Sequence, residues 1–144
     1  MKKIIFLFIF SLSMSAMAMN LPMWCRASAS HYNSMDLRQT KKNPDGIGSF
    51  GRRIKSGSVA LGSKFTDILK KNKITVYLYV KGMNIKTPYG RNIFRVDDSM
   101  NKRYRTWENF YIDFFHKDLN RQYKKLGRFQ VKFTVYKIKK ADST

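Results

Sequence analysis

Apolar and polar residues alternate with a period of two along several segments of this chain. In residues 73–81 every even-numbered position from 74 to 80 is Ile, Val or Leu, with Thr or Tyr between them. In residues 128–139 the odd-numbered positions from 129 to 135 are Phe or Val, and mostly polar residues separate them. This period is typical of a strand that buries one face, so both segments are predicted to be β-strands.

Shorter segments carry weaker signals of the same kind. Residues 65–71 are predicted to form one helical turn, and residues 115–126 a helix that ends at Gly127. Residues 33–56 are rich in Asn, Gly, Ser and basic residues and are predicted to form a long basic loop. The remaining predicted strands are 25–32, 57–61, 91–98 and 111–115.

Six strands with one helix between the last two make a mainly β (α+β) pattern. The strands are too short and too mixed in composition for an open α/β sheet. A small closed barrel would leave no strand edge unpaired. The predicted fold is therefore a six-stranded β-barrel with one helix before the last strand, in a single domain over residues 19–140.

The N-terminal segment has the composition of a secretory signal peptide. Two lysines precede an apolar run over residues 4–10, and small residues follow up to Ala18. The run is too short to span a bilayer as a permanent helix. We therefore expect residues 1–18 to be cleaved, and the mature protein, which has no transmembrane segment, to be periplasmic or secreted.

Basic residues dominate the charge of the chain. It has 29 Lys and Arg against 9 Asp and Glu, a formal net charge of +20. Such an excess opposes compaction by self-repulsion and favours a polyanionic partner or surface. The single cysteine, Cys25, allows no internal disulfide. Anionic polymers of the cell envelope are therefore candidate partners, whereas export argues against nucleic acid.

The order of the predicted segments resembles the double-psi β-barrel of bacterial cell-wall proteins. That group includes rare lipoprotein A-like proteins and the three-aspartate domain of some lytic transglycosylases. The chain departs from the family pattern after Leu61, where the family has a third Asp or a nearby His and this sequence has Asp67 as its nearest carboxylate. The resemblance is carried by Ala27 to Tyr32, Ser58 to Gly62, Ile74 to Val80, Val96 to Met100 and Tyr111 to Phe115.

The resemblance implies that the protein acts on peptidoglycan, with Asp98 and Asp113 as candidate catalytic residues. A lytic transglycosylase protonates the glycosidic oxygen between muramic acid and glucosamine with one carboxylic acid. The resulting carboxylate then helps the 6-hydroxyl to close an anhydro ring. Strand alternation places Asp98 on the apolar face of its strand, where burial raises a pKa, and places Asp97 with Arg95, where it should stay ionised. Asp98 is therefore predicted to be the acid/base and Asp113 its partner.

Aromatic and basic residues around these carboxylates are predicted to bind the substrate. Aromatic faces stack on pyranose rings, and the basic loop near residue 103 would attract an anionic glycan. The two histidines are too isolated to indicate a metal site, and no cofactor is predicted. The predicted substrate-binding residues are Tyr32, Arg103, Tyr104, Trp107 and Tyr111.

Other interpretations remain open at this stage. Asp98 can simply cap the turn at 99–101, Asp113 can accept backbone hydrogen bonds at the start of a helix, and Tyr111 can belong to the core. The missing third Asp or His is consistent with a noncatalytic peptidoglycan-binding module. A secreted binder of lipopolysaccharide or nucleic acid is a third class, whose binding would weaken steeply with salt.

Overall fold

A computed structural model describes residues 24–32, 46–106, 109–115 and 127–140 of the chain. The predicted signal peptide, residues 33–45 of the predicted loop and residues 116–126 of the predicted helix lie outside the described residues. The elements within the described ranges are β1 (Cys25–Tyr32), β2 (Ser58–Leu61), α1 (Ser63–Lys71), β3 (Ile74–Val80), β4 (Lys86–Thr87), β5 (Gly90–Arg91), β6 (Ile93–Ser99), a 3₁₀ turn (Lys102–Tyr104), β7 (Tyr111–Phe115) and β8 (Phe129–Lys140).

Six of the strands close into a barrel in the order β1-β7-β2-β6-β3-β8, and β8 pairs back onto β1. The pairs β1–β7 and β2–β6 are parallel, whereas the other neighbours are antiparallel. The short strands β4 and β5 form a separate hairpin. The prediction of a mainly β fold with a closed six-stranded barrel is confirmed, and this mixed pairing is compatible with a double-psi barrel.

The interior of the barrel is filled by apolar side chains from alternate strand positions. On β3 these are Val76, Leu78 and Val80, as the alternation predicted. Each such burial contributes roughly 1.5–3 kcal/mol for a Val, Leu or Phe side chain, so this cluster is the main source of stability. The buried core consists of Ala27, Ala29, Val59, Leu61, Leu69, Val76, Leu78, Val80, Phe94, Val96, Ile112, Phe114, Val131 and Phe133.

Helix α1 packs against β3 and β6 and supports the end of β6. It is nine residues long, which is longer than the single turn predicted at 65–71. Phe65 and Leu69 are buried, and two lysines occupy the last turn, where the helix dipole favours positive charge. The hydroxyl groups of Thr66 and Ser99 hydrogen-bond each other at 2.5 Å. The helix therefore holds the last residue of β6 in place.

A β-bulge in β6 determines the face on which Asp98 lies. Val96 pairs with Val59 of β2, but the next residue of β2, Ala60, pairs with Asp98, so that Asp97 is the extra residue. Ala60 packs outside the main core. Asp98 therefore shares the outer face of the barrel with Ala60. Its predicted place on the apolar inner face is wrong, because strict alternation takes no account of the bulged residue.

Candidate functional site

Asp98 and Asp113 lie on either side of one residue of β2. Ala60 pairs with Asp98 of β6 on one side and with Asp113 of β7 on the other, and Asp113 pairs in turn with Ser30 of β1. Two strand spacings put the Cα atoms of the aspartates roughly 10 Å apart. These four residues, called the acid row below, cross the outer face of the barrel. The structure thus brings the two predicted catalytic residues together.

Asp113 is a half-buried carboxylate in the middle of the acid row. Its neighbours Ile112 and Phe114 are fully buried in the core, so alternation turns Asp113 outward, as predicted. Ser30 Oγ donates a hydrogen bond to Asp113 Oδ1 at 2.9 Å. Burial raises the pKa of Asp113 from 3.8 to about 6, and the nearby charge of Asp98 acts in the same direction. Asp113 therefore keeps its proton much closer to neutral pH than an ordinary aspartate does.

Asp98 is held by two backbone groups. Its Oδ1 accepts hydrogen bonds from the N–H of Ser49 at 2.9 Å and from the N–H of Ser99 at 2.8 Å. Burial raises the pKa of Asp98, and these two hydrogen bonds oppose the increase because they stabilise the ionised form. The Ser99 contact is the kind expected of a turn cap. The Ser49 contact ties Asp98 to the loop that precedes β2.

A second, smaller cluster of buried apolar side chains lies beside the acid row. Tyr32 of β1 pairs with Phe115 of β7, and their rings are 5.4 Å apart. The Tyr32 hydroxyl is buried and has no hydrogen-bond partner among the described residues. Burial raises its pKa well above the usual range, and the charges of Asp98 and Asp113 raise it further. The outer cluster formed here consists of Tyr32, Ala60, Met100 and Phe115.

Three more predicted substrate-binding residues meet beside the outer cluster. The rings of Tyr104 and Tyr111 are 5.1 Å apart, and both are packed against the outer cluster. The guanidinium of Arg103 lies 4.8 Å from the centre of the Tyr104 ring. Arg128, which sequence reasoning missed, contacts both tyrosine rings. The fifth predicted substrate-binding residue, Trp107, lies outside the described residues.

A buried ion network fastens the loop before β2 to β6. The Asp97 side chain is 0% exposed, and its Oδ1 accepts hydrogen bonds from Nε of Arg52 at 2.8 Å and Nε of Arg95 at 2.7 Å. Its Oδ2 accepts a hydrogen bond from Ser58 Oγ at 2.6 Å. Asp97 was predicted to share a strand face with Arg95, and the two side chains form an ion pair. Arg52 was missed because it lies in a loop whose contacts no local pattern reveals.

Asp67, the nearest carboxylate to the family's third acid position, does not join the acid row. It is exposed and forms ion pairs with Arg105 at 2.5 Å and Lys70 at 3.5 Å. The hydrogen bond from Arg105 lowers the pKa of Asp67. It is therefore a surface carboxylate that stays ionised, whereas a catalytic acid has to hold a proton.

Further properties concern metals, membranes and relatives. Across the described ranges, no group of three or more His, Cys, Asp or Glu side chains is placed to hold a metal ion. No helix in the same part of the chain is long and apolar enough to cross a membrane. No protein-family model matches the chain, and no curated protein matches it significantly.

Proposed function

We propose that this protein is an exported lytic transglycosylase that cleaves the glycan strands of peptidoglycan, with Asp113 as the acid/base. The observation that supports this most directly is a half-buried carboxyl group with a pKa of about 6, next to a second carboxylate on the outer face of the barrel. Two carboxyl groups whose environments differ in this way are the arrangement that most glycosidases use to cleave a glycosidic bond.

The proposed reaction returns its proton to the enzyme. The Asp113 carboxyl group protonates the glycosidic oxygen as the bond from muramic acid C1 to that oxygen breaks. The Asp113 carboxylate then takes the proton of the muramyl 6-hydroxyl, whose oxygen bonds to C1 and closes the anhydro ring. Asp98, which remains ionised, stabilises the positive charge that develops at C1.

This proposal exchanges the roles that the sequence suggested for the two aspartates. Asp98 accepts two backbone N–H hydrogen bonds, which favour its ionised form. Asp113 has one hydroxyl donor, from Ser30, and its pKa is the one that reaches about 6. The environment of Asp113 therefore suits an acid that must be protonated, and that of Asp98 suits a fixed negative charge.

The double-psi barrel of cell-wall proteins is the family assignment that we propose with this activity. The pieces of sequence that carry the resemblance fall on β1, β2, β3, the end of β6 and β7, and these are all barrel strands. One observation favours a second candidate, a noncatalytic peptidoglycan-binding module. Asp67, the nearest substitute for the third acid, is engaged in surface ion pairs.

Mass spectrometry of purified peptidoglycan incubated with the mature protein tests the activity. We expect anhydromuramyl products from the parent chain and from the control variant Asp67→Asn, whose carboxylate lies outside the acid row. Asp113→Asn should yield none, and Asp98→Asn should yield far fewer. If none of the four proteins yields products but all of them pellet with the cell-wall polymer, the binding module is the correct function.

A further inference from the structure

Two arginine side chains are held against two tyrosine rings at the edge of the candidate site. The guanidinium of Arg128 lies 4.8 Å from the centre of the Tyr104 ring and 5.1 Å from that of the Tyr111 ring. The guanidinium of Arg103 also lies 4.8 Å from the Tyr104 ring. Contact with an aromatic ring fixes a long side chain that would otherwise lose entropy when it binds a ligand. The pair is therefore preorganised, although both side chains are exposed.

Neither of these arginines is neutralised by a carboxylate in the described part of the chain. The ion pairs found there involve Arg52, Arg95 and Arg105 on the arginine side. Arg128 is close enough to Asp113 for its charge to oppose the rise in the pKa of that residue. Two guanidinium groups that form no ion pair with a described carboxylate thus lie on the tyrosine rings beside the acid row.

We infer that Arg103 and Arg128 form a binding site for a carboxylate group of the substrate, beside Asp113. The inference rests on the proposed function, because it supposes that a glycan occupies the acid row. It gives Tyr104 and Tyr111 a different task from the predicted sugar stacking. Their rings hold the arginine side chains in place, and the arginines contact the substrate.

A singly charged carboxylate suits this site better than a phosphate group. A guanidinium group matches the planar fork of a carboxylate with two parallel hydrogen bonds. Phosphate offers similar oxygens but carries more negative charge, and the ionised Asp98 would repel it more strongly. In peptidoglycan such a carboxylate is found on the lactyl group of muramic acid or on a peptide attached to it. Both sources present the same chemistry to the arginines.

The inference is tested by measuring the binding of two small sugars to the mature protein by NMR titration. N-acetylmuramic acid and N-acetylglucosamine differ in the lactyl group that carries the carboxylate. We expect the acidic sugar to bind at least about tenfold more tightly, since hydrogen bonds to a charged group are strong. Arg128→Gln and Arg103→Gln should remove this preference. The control Arg91→Gln changes the net charge equally at the opposite end of β6, in strand β5, and should retain it.

Equal binding of the two sugars would overturn the inference, as would a preference for the acidic sugar that survives in Arg128→Gln. Tighter binding of inorganic phosphate than of N-acetylmuramic acid would also overturn it. A muramyl dipeptide identifies the source of the carboxylate. It will bind more tightly than N-acetylmuramic acid if the peptide supplies the group, and less tightly if the lactyl group supplies it. A carboxylate preference without anhydromuramyl products would sustain this site and refute the proposed activity. Products without the preference would do the reverse.

Discussion

Arg52 donates a hydrogen bond from Nε to Oδ1 of the buried Asp97 at 2.8 Å. The same guanidinium donates from a terminal nitrogen to the carbonyl oxygen of Val96 at 2.7 Å. These contacts fix the loop before β2 against the bulge of β6. Because Ser49 belongs to that loop, its N–H group is placed where it can bond to Asp98. A structural ion pair on one side of the bulge thus positions a candidate catalytic carboxylate on the other.

We predict that Arg52→Gln lowers the free energy of unfolding by about 2–4 kcal/mol, because it leaves a buried carboxylate with less compensation. Arg95 remains bonded to Asp97 and limits the loss. Urea denaturation of the two proteins measures the difference. The matched control is Arg53→Gln, which removes the same charge from an exposed neighbour in the loop. Equal destabilisation by both variants would contradict a role for the Asp97 contact.

Gly48 lies where the loop packs closely against β6. A Cβ atom at this position would lie 2.1 Å from the carbonyl oxygen of Asp97, so a side chain would force the loop away. We expect Gly48→Ala to weaken the Ser49 hydrogen bond and thereby raise the pKa of Asp98 further. Carboxyl NMR titration can follow this pKa. Ser56→Ala, an exposed change in the same loop, should leave it unchanged. An unchanged pKa in Gly48→Ala would mean that the loop does not set it.

The buried Tyr32 hydroxyl gives a prediction in which stability changes and activity does not. Because the hydroxyl has no partner among the described residues, Tyr32→Phe should stabilise the fold by about 1 kcal/mol. Because the hydroxyl is buried and does not reach the surface where a glycan would bind, glycan cleavage by the same variant should be unchanged. Thermal denaturation and product analysis measure the two effects. Tyr136→Phe, at a residue that is 59% exposed, should change neither. A destabilised Tyr32→Phe would show that the hydroxyl has a partner in solution.

The raised pKa of Asp113 should make stability depend on pH. The folded chain holds the Asp113 proton up to about pH 6, whereas the ordinary value for an aspartate is 3.8. The proton is bound more tightly in the folded state, so stability from this group is present below about pH 4 and is lost as the pH rises to about 6. The loss should reach ~3 kcal/mol once the pH has risen past that value. Asp113→Asn has no titrating group at this position. Its free energy of unfolding, measured by urea denaturation, should therefore rise relative to that of the parent chain across that interval. A constant difference would mean that the pKa of Asp113 is ordinary.

Most strands were predictable because their signal is local. The predictions at 25–32 and 111–115 match the strands β1 and β7, and those for β3 and β8 differ by one residue at their ends. Burial on one face of a strand leaves a period of two in the sequence, and no distant residue is needed to read it. The closed barrel was predicted because closure leaves no strand edge unpaired.

The details of the site depend on pairing between distant strands, so the sequence alone could not specify them. The bulge at Asp97 exists because β2 and β6 pair with unequal numbers of residues, and alternation within β6 gives no sign of it. Arg52 and Arg128 reach their partners from loops far away in the chain. Asp98 and Asp113 lie on either side of Ala60, close enough to act together as the sequence suggested. Which of them holds its proton depends on burial and on backbone donors that only the folded chain supplies.

The closure of the barrel also determines when the chain can fold. Both neighbours of β1, the strands β7 and β8, come late in the chain, and the bond between Ser30 and Asp113 spans 83 positions. Joining such distant segments lowers the conformational entropy of the chain before the favourable contacts form. Folding is therefore slow. Until β8 has been synthesised, β1 and β3 each keep an open edge. We therefore expect the barrel to close only once its last strand is available, and the open strand edges to be prone to aggregation until then.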